Sequence, residues 1–125
     1  MKLSSMQGIV ACLTIFLALV APSNAMTEAD HQEDWCPGQQ EVKLKDLTRV
    51  DCLTDSHAIE IEWASNWKEA ISQSLHYSLM TGKAPGIALI YKKPSDRRYR
   101  DQLKAVLKAN GLNIQLRVIP ATLDE

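Results

Sequence analysis

The stretch that most constrains this chain is Ala58-Ile59-Glu60-Ile61-Glu62-Trp63, followed closely by Asn66 to Gly82. Alternation of apolar and acidic residues has a period of two. It predicts a strand with Ile59, Ile61 and Trp63 on one face and Glu60 and Glu62 on the other. Trp67, Ala70, Ile71, Ser74, Leu75, Ser78 and Leu79 then follow the helical period and are expected to face the sheet. Asn66-x-x-Glu69 supplies the helix start, and Gly82 supplies the left-handed residue that ends it. A strand running directly into an amphipathic helix rules out an all-β or all-α chain and makes the domain α/β.

The remaining segments extend that unit. Thr27-x-x-Asp30 is a capping pattern for a short helix through Trp35, or a frayed N-terminus. Glu41 to Lys45 and Arg49 to Thr54 read as two strands. With tight turns at Lys45–Thr48 and Asp55-Ser56-His57, they form an antiparallel meander with the strand at Ala58. Ile87-Ala88-Leu89-Ile90-Tyr91 is a continuous apolar run, as in a strand buried on both faces and reached by a helical crossover. Ser95 caps a second helix from about Asp96 to Asn110, and Gly111 stops it. Leu112, Ile114, Leu116 and Val118 alternate as a last strand. The expected order is (α)βββαβαβ.

The first 25 residues resemble a secretory leader: Lys2, an uncharged apolar run from Gly8 to Val20, and Ser23-Asn24-Ala25 before the expected cut. Such a run is short against the ~20 residues of a spanning helix, although an uncleaved anchor and lipidation at Cys12 are alternatives. The expected product is one exported domain, residues 26–125, periplasmic or secreted, with no stable membrane association. Its oligomeric state is open, a homodimer included. Two cysteines remain in it, Cys36 and Cys52; export permits a disulfide, and two buried thiols are the alternative. No Cys/His spacing suggests zinc.

Charge is unevenly placed. From Met26 to Glu62 ten acids stand against Lys43, Lys45 and Arg49, whereas from Trp63 onward ten bases stand against five acids. An acidic cluster beside a basic half suits a cation site facing a polyanion. Asp51, Glu60 and Glu62 are the candidate cluster, because a hard cation such as Mg²⁺ prefers oxygen ligands. Glu60 and Glu62 share a face. Asp51 joins them only if its cross-strand partner is even-numbered, which requires an even connection or a bulge near Cys52; a three-residue turn would point it away. The competing reading puts Glu60 and Glu62 on a wet sheet face. Lys92, Lys93, Arg97, Arg98, Arg100, Lys104 and Lys108, interleaved with Tyr91 and Tyr99, are candidate phosphate contacts or an ordinary solvated face. His57 and His76 read as structural, because no nucleophile lies in a suitable context.

Arg49-Val50-Asp51-Cys52-Leu53-Thr54, then Ala58 to Ala64, then Trp67-Lys68-Glu69-Ala70-Ile71-x-Gln73-Ser74-Leu75-x-Tyr77, resemble the PD-(D/E)XK nuclease superfamily. The likeness is to small Holliday-junction-resolvase-like members with a RecB-type QxxxY motif, and it spans roughly Gly38 to Ile119. It implies a restriction-endonuclease-like αβββαβ core, a three-stranded antiparallel meander extended by crossover-connected strands. It further implies Mg²⁺ or Mn²⁺ held by Asp51 and Glu60, with Gln73 and Tyr77 near the site and the DNA. Glu33 and Glu41 are candidates to complete the metal site. The motif's final lysine is Glu62 here, and Lys68 is the residue positioned to replace it. Two functions follow: a metal-dependent DNA endonuclease with Asp51, Glu60, Glu62 and Lys68 at its centre, or an inactive nuclease-fold binding module. A purely structural exported domain is a third reading.

Overall fold

A computed structural model of the chain describes residues 11–18 and 25–124. Lys2 and Ser23-Asn24 of the expected leader lie outside the described residues. Among those described, no helix is long and apolar enough to cross a membrane.

The elements follow the expected order: α1 (Glu28–Trp35), β1 (Gln39–Lys43), β2 (Arg49–Leu53), β3 (His57–Trp63), α2 (Trp67–Thr81), β4 (Ala84–Ile90), α3 (Arg97–Ala109) and β5 (Gln115–Ile119). The five strands form one mixed sheet in chain order. β1, β2 and β3 are an antiparallel meander, while β4 and β5 add in parallel through the α2 and α3 crossovers. The fold is therefore α/β. α1 begins with the capping box read from Thr27 and Asp30. Gly82 ends α2 at φ 70°, where a side chain would be strained.

Both faces of the sheet are covered. Ile87 and Leu89 of β4 pack with Trp67, Ala70, Leu103 and Leu107 of α2 and α3. Ile59 and Ile61 pack on the opposite face with Ala88, Ile90 and Ile119, against Trp35 and Trp63. Glu60 and Glu62 pair with Ile87 and Leu89, so they lie under the helices. Glu60 is 3% and Glu62 8% exposed, which removes the wet-face reading.

Cys36, at the end of α1, is disulfide-bonded to Cys52 of β2. The link fastens α1 to the sheet and, by restricting the unfolded chain, contributes about 3 kcal/mol.

Two local expectations need correction. Leu75 and Leu79 do not face the sheet: they are 37% and 80% exposed. The buried face of α2 is instead Trp67, Ala70, Ser74 and Tyr77. A helix lying over acidic positions presents its polar-tipped stripe inward. Asn66 and Ser95 do not cap their helices through their side chains, and each helix is preceded by a 3-10 turn.

Candidate active site

The register decides where Asp51 points. Cys52 pairs with Ile59 and Leu53 with Ala58, leaving the four residues Thr54 to His57 between paired positions. One step back along the same register sets Asp51 against Glu60. This is the even connection that the cluster requires. The backbone ladder stops there, because the Asp51 carboxylate accepts the Ile61 N–H at 2.8 Å. Glu41, whose expected partner is Asp51, takes φ 50° in β1, a local irregularity on the other side of the same residue.

Asp51 and Glu60 are hydrogen-bonded to each other, which carboxyl groups manage only by sharing a proton. Burial, the Asp51 charge and that hydrogen bond push Glu60 up to about 10, so Glu60 holds the proton at neutral pH. Burial also raises Asp51, against the lowering effects of the Ile61 N–H and Glu60. Gln73 faces this pair from α2. With its amide nitrogen toward the site, it donates to Glu60 Oε1 at 2.6 Å and Oε2 at 3.3 Å. The Tyr77 hydroxyl lies 3.4 Å from the same amide position. Burial, then Glu60 and Asp51, push Tyr77 up to about 12.

Glu62 stands where the nuclease resemblance leads one to expect a lysine. Its Oε1 accepts the Trp63 N–H at 2.9 Å and the Asn66 Nδ2 at 3.1 Å, so Asn66 serves Glu62 and does not cap α2. A fourth carboxyl escaped the sequence reading. Glu28, in the first turn of α1, is hydrogen-bonded to Glu62 and pushed up to about 7 by burial, then by the Glu62 charge. Nothing in its local sequence distinguishes it from its acidic neighbours; the disulfide-held helix brings it in. Glu41 acts on Asp51 through its charge. It is tied to Gln32 Nε2 at 2.9 Å. Glu33 is exposed on α1.

Lys68 does not take the missing lysine's place. It is exposed, with Nζ 5.6 Å from the Trp67 ring centroid, and among the described residues it makes no ion pair with a carboxylate. Lys92 and Lys93 follow the end of β4, and Lys92 Nζ stands 4.7 Å over the Trp63 ring. Arg98 joins them around a pocket that also contains Trp63 and Tyr99. Arg97 lies apart from it, near enough to Asp124 to lower that carboxyl. Arg100 is bound by Asp101 and Asp124. The basic series therefore splits, and only part of it borders the acids. His76 binds Asp46 at 2.6 Å, a structural tie between α2 and the β1–β2 turn.

A cleft of about 660 Å³ lies elsewhere. It lies at the opposite end of the sheet, among Trp35, His57, Lys83 and Arg117, and contains none of the predicted site residues.

Among the described residues, no three His, Cys, Asp or Glu side chains stand placed to hold a metal ion. The assembly is a proton-sharing pair with acidic neighbours, in an α/β domain. No protein-family model, curated protein or solved structure matches the chain.

Proposed function

We propose that the domain is a nuclease-type phosphodiesterase acting on DNA, with β1 to β4, α1 and α2 forming a restriction-endonuclease-like αβββαβ core. The observation that carries this reading is the Asp51–Glu60 pair, brought together by an even-register connection and met from α2 by Gln73 and Tyr77. Buried carboxyls kept at neutral pH by proton sharing are unfavourable for stability alone, and a divalent cation is the ordinary reason to gather them.

The donor set fits Mg²⁺ or Mn²⁺. It is all oxygen, and Mg²⁺ is commonly held by one or two carboxylates with water and substrate phosphate completing its shell. Asp51 and Glu60 would be those two. A bound cation there would polarise a phosphoryl oxygen and lower the pKa of its water. Glu60 must give up its proton for this, and Gln73 favours the ionised form by turning its N–H groups to it. Glu62 is held by the Trp63 N–H, Asn66 and Glu28 beside this pair, and its charge adds to the field a cation would meet. Lys92, Lys93 and Arg98, just past Trp63, are placed to attract the phosphate backbone.

A second reading, a nuclease fold that binds without cutting, is favoured by one observation: Lys68 rests on Trp67, and among the described residues no lysine forms an ion pair with these carboxylates. The purified protein incubated with linear, supercoiled and branched DNA in Mg²⁺, Mn²⁺ or EDTA separates the two. Asp51→Ala run in parallel exposes contaminating nucleases. Metal-dependent cleavage lost in Asp51→Ala supports hydrolysis. Stabilisation by Mg²⁺ without cleavage supports the binding module, and neither effect overturns both.

A further inference from the structure

We infer that the pocket at the carboxyl ends of β3 and β4 is a stacking platform for unpaired DNA, which makes a single strand, and not intact duplex, the preferred ligand of this surface. The inference rests on the proposed function for what is cut, and on the pocket alone for what is bound.

The pocket holds about 180 Å³ and is lined by Trp63, Lys92, Lys93, Asp96, Arg98 and Tyr99 among others. Trp63 directly follows Glu62 at the end of β3, and its ring packs with Ile59 and Ile61 on the sheet face opposite the carboxylates. Its ring is held edge-on by His31 at 5.5 Å. Lys92 covers it at 4.7 Å, and the Arg98 guanidinium lies 4.7 Å over the Tyr99 ring with Nη2 donating to the Tyr99 hydroxyl at 2.8 Å. The one acidic side chain in the wall, Asp96, is buried and accepts the Lys92 N–H at 2.7 Å, which closes the turn after β4. Lys92, Lys93 and Arg98 are exposed.

Two aromatic rings, a planar guanidinium and two ammonium groups around a cavity of this size suit a flat base with phosphates on either side. Every base has a π-face, so such a platform tolerates any sequence. In a duplex those faces are already stacked on neighbouring bases. The exposed cations supply the non-specific term common to both forms. A base stacks here on the Arg98 guanidinium over Tyr99, or on the Trp63 ring once the exposed Lys92 turns to a phosphate, and only an unpaired base can use either surface.

The test is fluorescence anisotropy in EDTA, so that nothing is cut, with a labelled oligothymidylate and a labelled hairpin duplex of matching length. The single strand is expected to bind about tenfold tighter than the duplex. Its log affinity should fall with log salt at a slope near 2, since three phosphate contacts each contribute about 0.7. Lys92→Ala and Arg98→Ala, both at exposed positions, should each weaken single-strand binding by about fivefold or more. Trp63→Leu should do so more strongly, with circular dichroism confirming that it folds. Equal or tighter duplex binding, or surface variants that bind as the parent does, would overturn the platform. Cleavage in Mg²⁺ is read separately: a platform without cleavage removes the hydrolytic reading only, and cleavage without single-strand preference removes the platform only.

Discussion

The carboxylate of Asp51 accepts the backbone N–H of Ile61 across the β2–β3 pair, at 2.8 Å. A side chain here does the work of a ladder bond, and the strands part beside Glu60. The residue proposed to hold metal is thus also the residue that closes the sheet at that point.

Those two roles separate by substitution. Asp51→Asn keeps an oxygen for the Ile61 N–H, whereas Asp51→Ala leaves that group without its partner at a cost of about 1–3 kcal/mol. Chemical denaturation in EDTA at pH 8 should place Asp51→Asn at or above the parent and Asp51→Ala below Asp51→Asn. Equal stability of the two variants would show that the hydrogen bond is dispensable.

Without divalent cations the domain should lose stability as pH rises. Glu28 and Glu60 have folded-state values raised to about 7 and about 10, from 4.5 for each. Between the unfolded and folded values the native state binds more protons, so its stability falls across that window. Asp30, Asp46 and Asp124 are lowered and act oppositely in stronger acid, so pH 5 to 9 is the range to scan. Thermal melts in EDTA should fall over it, and Glu60→Gln should flatten the trend. A melting temperature that climbs from pH 5 to 9 would contradict the placement of these carboxyls.

Lys68→Ala should leave any metal-dependent cleavage within about twofold of the parent, because the ammonium lies over Trp67. A lysine acting on the attacking water would carry a far larger effect, on the order of 10²–10⁴-fold. Glu62→Lys, which introduces the lysine of the motif that the sequence resembles, should raise the rate. A large loss in Lys68→Ala would return that residue to the site.

Opening the disulfide should cost about 3 kcal/mol. Cys36→Ser is the variant of choice, because Cys52 is fully buried and its replacement would also disturb the core. Denaturant midpoints of this variant should match those of the parent measured in reductant. No change on reduction would mean that α1 is held by its packing alone.

Much of the architecture was legible because it rests on short-range pattern. The alternation at β3, the apolar run at β4 and the glycines after α2 and α3 placed the elements in order. The parity argument also fixed what would have to be true for Asp51 to face Glu60, and the four-residue interval meets it. Three matters needed tertiary structure. The inward stripe of α2 was misread at Leu75 and Leu79, because what the helix covers is acidic and Gln73 and Tyr77 are the residues that suit it. Glu28 had no local signal and enters through the way α1 packs. Arg97 and Arg98 are neighbours in sequence yet fall on different surfaces, since adjacent helical residues diverge by about a quarter turn or more.

The cross-link between Cys36 and Cys52 encloses β1 and the turn at Leu47, which is 71% exposed. A protease that cuts this turn therefore does not divide the molecule. The fragment bearing Glu28 and the fragment bearing Asp51, Glu60 and Glu62 stay joined through sulfur. Nicked protein will run as one species on a non-reducing gel and as two once reduced. The acidic cluster can outlast the continuity of the chain that builds it.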